Sequence, residues 1–170
     1  METLQIIIAE DDNWYSEFLE YHLTLLHKHS VKKVKTAADL FEYLKFKPDL
    51  ITLDYNLPDL KGDKILERIK SESPNTEVIL VSGQDDVETA LHLIQNGAFD
   101  YIVKNDDANH RIGRSLANLM ERRELKSRIE VLEEEVNEKY DLSKYIIGAS
   151  KVIKKVYKYI DKAIASSINV

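Results

Sequence analysis

No cysteine occurs among the 170 residues. That absence removes disulfides, thiolate metal sites and thiol nucleophiles together, and it fits a reducing compartment. The opening residues, Met1-Glu2-Thr3-Leu4-Gln5, lack the basic start and apolar core of a secretory signal. No apolar run approaches the roughly 18 residues of a membrane span. No membrane contact is therefore expected, and the expected location is cytoplasmic. A phosphate-binding loop of the form G-x-x-x-x-G-K-S/T is also missing, so this chain is not expected to hydrolyse ATP. No DNA-reading helix-turn-helix pattern and no low-complexity segment is found.

Charge is distributed unevenly. Residues 1–110 carry 11 Lys+Arg and 21 Asp+Glu, net −10, whereas residues 111–170 carry 13 and 9, net +4. The acidic body argues against a nucleic-acid groove. The basic extension is too interleaved with acids to be a DNA footprint, so no nucleic acid is expected to bind this chain. The length accommodates one domain with a real core plus an appendage.

Along the body, short apolar runs alternate with helical patterns. Leu4 to Ala9 reads as a buried strand ending in Glu10, Asp11 and Asp12. A helix over Asn13 to His29 follows, with Trp14, Phe18, Tyr21 and Leu25 near helical spacing. Val31 to Thr36 reads as a more exposed strand, and Ala37 to Lys45 as a helix with Leu40, Phe41 and Leu44 on one face. The central strand runs through Asp49-Leu50-Ile51-Thr52-Leu53-Asp54 into the turn residues Asn56, Pro58, Asp59 and Gly62. Asp63 to Ser71 is a helix stopped before Pro74. Val78 to Val81 is an apolar strand ending at Ser82-Gly83. Asp85 to Asn96 is a helix with Val87, Leu91 and Ile94, closed by Gly97. Tyr101 to Val103 is a last strand ending at Lys104, before a helix from about Ala108. Five strand–helix repeats imply an α/β fold with a five-stranded parallel sheet and helices on both faces.

All strand carboxyl ends of such a sheet share one edge, where open α/β sheets place their ligands. Here that edge carries Glu10-Asp11, Asp54, Ser82 and Lys104. Three gathered carboxylates repel one another and call for a cation, and an all-oxygen donor set suits Mg²⁺. With the cation in place Asp54 can act as a nucleophile toward a phosphoryl group. Lys104 supplies a point charge to the new phosphoryl oxygens, and the Ser82 hydroxyl completes the cradle. Taken singly, each residue has a structural explanation as well: a helix cap, a turn residue, a solvated lysine, a packed tyrosine.

Four stretches carry a resemblance that covers residues 1 to about 121: Ile6-Ile7-Ile8-Ala9-Glu10-Asp11-Asp12, Leu53-Asp54-Tyr55-Asn56-Leu57-Pro58-Asp59-Leu60-Lys61-Gly62, Leu80-Val81-Ser82-Gly83 and Gly97-Ala98-Phe99-Asp100-Tyr101-Ile102-Val103-Lys104. The sequence resembles the receiver domain of two-component response regulators. The resemblance implies the flavodoxin-like strand order 2-1-3-4-5. It implies that Asp54 is the phosphoacceptor and that a histidine kinase is the partner. It further implies that Asp11 and Asp54 bind Mg²⁺ directly with the Asn56 carbonyl, and that Glu10 acts through water. Ser82 would be the switch hydroxyl, and Tyr101 the switch aromatic that turns inward. The family usually follows its lysine with proline; Asn105 stands there instead, which implies a looser loop or a different path.

Beyond the body, Ile112, Leu116 and Leu119 follow helical spacing, and Leu125, Ile129, Leu132 and Val136 do so again in a different heptad phase. The first series is expected against the sheet. The second, within 122–140, is expected to be a linker helix and coiled-coil seam, so that the chain forms a homodimer through the 112–136 helix; a single solvated helix is the other possibility. Asn137 to Ser143 breaks the pattern. Residues 141–170, with Ile147-Gly148-Ala149-Ser150 and an amphipathic helix through Val152, Val156, Ile160 and Ile164, resemble the opening of the AAA+ ATPase module in NtrC/AtoC-type activators of sigma-54 RNA polymerase. The resemblance implies an N-terminal fragment of a longer regulator that meets sigma-54 RNA polymerase and DNA through its missing parts. The chain is expected to be a phosphoacceptor that catalyses its own transfer rather than a turnover enzyme. Two rivals remain: a Mg²⁺ phosphohydrolase, disfavoured because Asn56 stands where a second acid is needed, and a pseudo-receiver that binds partners without being phosphorylated.

Overall fold

A computed structural model describes residues 3–24, 29–139, 155, 158 and 159. The chain divides into two compact units, Met1–Met120 and Glu121–Val170. The first unit alternates strictly: β1 (Gln5–Ala9), α1 (Asn13–Thr24), β2 (Ser30–Val34), α2 (Ala37–Leu44), β3 (Leu50–Asp54), α3 (Gly62–Glu72), β4 (Glu77–Ser82), α4 (Val87–Gln95), β5 (Asp100–Val103) and the start of α5 (Ala108–Lys139). All four strand pairings are parallel, in the order β2-β1-β3-β4-β5, the flavodoxin-like order implied by the resemblance.

The central strands read as unbroken apolar runs because both faces are covered. Successive side chains alternate between faces. Ile7, Ala9, Ile51, Leu53, Val78, Leu80 and Tyr101 join Leu40, Leu44, Ile65, Leu66, Ile69 and Leu93 in one core. Ile6, Ile8, Leu50, Ile79, Val81 and Ile102 join Leu19, Leu23, Ile112, Leu116 and Leu119 in the other. Short polar side chains set the helix starts. Asp12 accepts from the Tyr15 amide, Thr36 from Asp39, and Asp86 from Glu88 and Thr89. Gly97, at φ 98°, closes α4, with its own amide on the Ile94 carbonyl and the Ala98 amide on Leu93.

In two helices the apolar residues noted at helical spacing are not the ones that face the sheet. In α1 the buried residues are Tyr15, Ser16, Leu19 and Leu23, while Trp14 is 72% and Tyr21 60% exposed; Leu25 lies outside the described residues. The series 14-18-21 and 15-19-23 both have helical spacing, so periodicity cannot choose between them, and the leucines take the sheet. In α4 only Leu93 is buried, and Val87, Leu91 and Ile94 face outward. Apolar residues at 87, 90, 91, 93 and 94 form two overlapping stripes, and a nine-residue helix seats only one. Of the expected break at Asn137 to Ser143, residues 137–139 are still helical in α5, and 140–143 lie outside the described residues. In the second unit Leu125, Ile129, Leu132 and Val136 are exposed along α5. The expected amphipathic helix after Ser150 lies outside the described residues apart from Lys155, Lys158 and Tyr159, which are helical. No helix among the described residues is long and apolar enough to cross a membrane.

Candidate functional site

The carboxyl edge of the sheet is built by where β1, β3, β4 and β5 stop. The Glu10 amide donates to the Val34 carbonyl, which continues the β1–β2 ladder one residue beyond the strand and turns the Glu10 side chain inward, where it is 2% exposed. Asp54 ends β3 and is 7% exposed. The loop behind it is closed twice: the Gly62 amide donates to the Tyr55 carbonyl at 2.8 Å, and Asn56 bridges Lys61. A Cβ at Gly62 would lie 2.9 Å from the Tyr55 Cα, so only glycine lets α3 begin there. The Asn56 amide donates to Asp54 Oδ1 at 3.0 Å. Asp59, from the same loop, accepts from the Ala37 and Ala38 amides and ties the loop to the start of α2.

Carboxylate oxygens of Glu10, Asp11 and Asp54 lie within 4.8 Å of one another. Lys104, at the end of β5, is held by a backbone bond from its amide to the Ser82 carbonyl at 2.7 Å. Its ammonium donates to Glu10 Oε1 at 3.0 Å, Glu10 Oε2 at 2.8 Å and Asp54 Oδ2 at 2.8 Å. One ammonium thus faces two buried carboxylates and a third exposed one. Burial above all, together with the Asp54 charge, pushes Glu10 up to about 7 against the pull of Lys104. Burial works against the Lys104 ammonium, but the hydrogen bonds it donates to Asp54 and Glu10, with their charges, outweigh it and hold the group above its ordinary value. The pocket therefore carries more negative charge than its own cation balances. An all-carboxylate donor set of mixed burial fits a hard divalent ion such as Mg²⁺.

Ser82 and Tyr101 meet at a residue the sequence did not flag. The Gln84 amide donates to Ser82 Oγ at 3.1 Å, and the Tyr101 hydroxyl donates to the Gln84 carbonyl at 2.8 Å. Tyr101 already lies inward in the core. The Arg111 guanidinium donates to the Tyr101 carbonyl, which links β5 to α5. The turn after Lys104 is closed by Asn105 itself. Its amide donates to the Val103 carbonyl at 2.9 Å, its side-chain oxygen accepts from Asp107, and its carbonyl accepts from Ala108. A proline could make neither of the first two bonds. Tyr15 is the second residue missed from sequence. Its ring centre lies 4.5 Å from Lys104 Nζ, yet nothing in the spacing distinguishes it among nine tyrosines.

Residues 6–112 match the response regulator receiver domain. The regulatory protein LuxO of Vibrio cholerae serotype O1 is 30% identical over 138 residues, 81% of this chain and 29% of LuxO. The regulatory protein AtoC of Escherichia coli K12 is 31% identical over 105 residues, 61% of this chain and 22% of AtoC. The crystal structure of the signal receiver domain of a Vibrio parahaemolyticus protein described as a LuxO repressor superposes with a TM-score of 0.68 at 27% identity, covering 76% of this chain and 98% of that one. The chain spans less than a third of the curated relatives LuxO and AtoC.

Proposed function

The chain belongs to the response regulator receiver domain family, and from that premise we propose that it is a phosphorylation switch with Asp54 as the phosphoacceptor. The observation that carries this reading is Lys104 spanning Glu10 and Asp54 beside a third carboxylate. An Asp54 carboxylate oxygen attacks the phosphorus of a phosphohistidine on a kinase, or of a small acyl phosphate. A new O–P bond forms, the P–N or P–O bond to the donor breaks, and the leaving group keeps that electron pair. Asp11, Asp54 and the Asn56 carbonyl would hold Mg²⁺ directly and Glu10 through water, and the ion would supply the charge that lets phosphoryl oxygens approach this acidic pocket. Lys104 exchanges its Asp54 contact for a phosphoryl oxygen and stays tied to Glu10.

The Ser82 hydroxyl turns from the Gln84 amide to donate to the phosphoryl group. Gln84 thereby couples the site to Tyr101, and through the Tyr101 carbonyl to Arg111 on α5. Such a local charge event acts by biasing a two-state element. The exposed apolar side chains of α4 and the Leu125–Val136 stripe of α5 offer the surfaces on which a dimer can rearrange. Trp14 and Tyr21, exposed on α1, offer the kinase an aromatic landing face. In this reading residues 1–121 are the receiver, 122–140 the linker seam and 141–170 the start of an ATPase module. In a longer cytoplasmic regulator of the AtoC type, the switch governs an ATPase acting on sigma-54 RNA polymerase at DNA.

Incubation with acetyl phosphate and Mg²⁺, followed by intact mass, tests the reading. One phosphoryl adduct is expected on the native chain and none on Asp54→Asn. No adduct on the native chain leaves a pseudo-receiver. Sustained turnover of a phosphate ester without an adduct points to a hydrolase.

A further inference from the structure

The acids and the lysine do not close the site by themselves; an aromatic ring does. We propose that Tyr15 is a positioning residue whose ring face holds the Lys104 ammonium while it passes from Asp54 to the transferred phosphoryl group. The proposal rests on the reading of Asp54 as the phosphoacceptor.

The ammonium has three N–H groups, and its three contacts with Glu10 and Asp54 occupy them all. The Tyr15 ring lies with its centre 4.5 Å from Nζ. A cation over an aromatic face is attracted by the ring quadrupole, most strongly where water is excluded. Tyr15 is 8% exposed and belongs to the core formed with Leu19, Leu23 and Ile112. Its backbone is fixed by the Asp12 side chain, which accepts from the Tyr15 amide at 3.0 Å. Its ring is flanked by Phe18, with ring centres 5.2 Å apart. The ring is therefore set in place by folding, whereas the lysine stem is long and flexible.

The hydroxyl does not make the contact. Tyr15 Oη is buried with no hydrogen-bond partner, so the interaction with Lys104 belongs to the ring. The difference in directionality gives the ring its role. The N–H···O bond to Asp54 must be broken and remade when a phosphoryl oxygen replaces the Asp54 carboxylate oxygen, while the bonds to Glu10 stay. Attraction to a ring face tolerates rotation of the ammonium and persists through the exchange. A leucine would fill the core but offer no such hold. Since Tyr15 is buried in the core and acts through Lys104, its loss should slow the transfer step without weakening donor binding.

The test compares Tyr15→Phe, Tyr15→Leu and a series of increasingly fluorinated phenylalanines at position 15 in the 170-residue chain. The readouts are the rate of adduct formation with acetyl phosphate and Mg²⁺ and its half-saturation. Tyr15→Phe should restore the native rate, and Tyr15→Leu should lower it about 3- to 10-fold. Successive fluorines, which drain the ring face of negative potential, should lower the rate stepwise at constant half-saturation. A flat fluorine series, or a Tyr15→Leu rate equal to the native one, overturns the proposal. A second readout needs no phosphorylation. The Lys104 ε-methylene protons should be shifted upfield by the ring in the native and Tyr15→Phe chains, and not in Tyr15→Leu; identical shifts in all three remove the contact. Absence of any adduct on the native chain overturns the phosphoacceptor reading and with it the transfer role, and the proton shifts then decide the contact alone.

Discussion

Glu10 makes the stability of this fold depend on pH in an unusual direction. Its carboxyl is pushed from an ordinary 4.5 up to about 7, first by burial and then by the Asp54 charge. A carboxyl whose value is higher in the folded chain than in the unfolded one binds its proton more tightly when folded. Between pH 4.5 and 7 the folded state therefore holds more protons, and stability falls as pH rises. The full displacement corresponds to about 3 kcal/mol, reached once the pH passes 7. Other perturbed groups act elsewhere. Asp59 and Asp86 are held low by hydrogen bonds to backbone amides and, for Asp86, Thr89; their contributions are present above 3.8 and lost as pH falls through lower values. Lys104, held high, loses its contribution only above 10.5. Urea unfolding of the native chain and of Glu10→Gln, in chelator from pH 5 to 8, isolates the effect. Native stability should fall by about 2 to 3 kcal/mol relative to Glu10→Gln across the window, with a steepest slope a little over about 1 kcal/mol per pH unit. Asp54→Asn removes one cause of the displacement and should flatten that slope. Parallel native and Glu10→Gln curves would refute the charge accounting of the pocket.

Gly62→Ala forces a Cβ to within 2.9 Å of the Tyr55 Cα and 3.0 Å of a Leu80 methyl, and should cost about 1–3 kcal/mol in urea unfolding. Leu93 is the single buried residue of α4. Leu93→Ala should raise amide hydrogen exchange across Val87–Gln95 at least about tenfold while β3 and β4 keep their protection; equal loosening of the whole sheet would contradict a helix held at one point. Replacing Leu125, Ile129 and Leu132 together by serine removes the exposed stripe of α5 and should shift sedimentation toward a monomer without loss of adduct formation at Asp54; an unchanged sedimentation coefficient would show that this stripe holds no second copy.

Much of the architecture was legible because it depends on local pattern. Buried β-branched runs, turn residues after Asp54, and Gly97 behind a helical stretch each carry a signal within a few residues. Helix faces were legible where one stripe dominates, as with Leu40, Phe41 and Leu44 on α2. They were not legible on α1 and α4, where two stripes of equal period compete.

The order of residues along the chain determined that four of the five strands, β1, β3, β4 and β5, would stop at polar side chains along one edge, and that Glu10, Asp11, Asp54, Ser82 and Lys104 would therefore be neighbours. A parallel sheet allows no other arrangement of its carboxyl ends. Only the tertiary structure decided that Leu19 and Leu23, not Trp14 and Tyr21, face the sheet, that Gln84 joins Ser82 to Tyr101, and that Tyr15 lies against Lys104. Those outcomes depend on which of several locally equivalent rotations of a helix buries most against a surface contributed by distant strands, and on pairs such as residues 15 and 104, whose separation along the chain leaves no periodic trace.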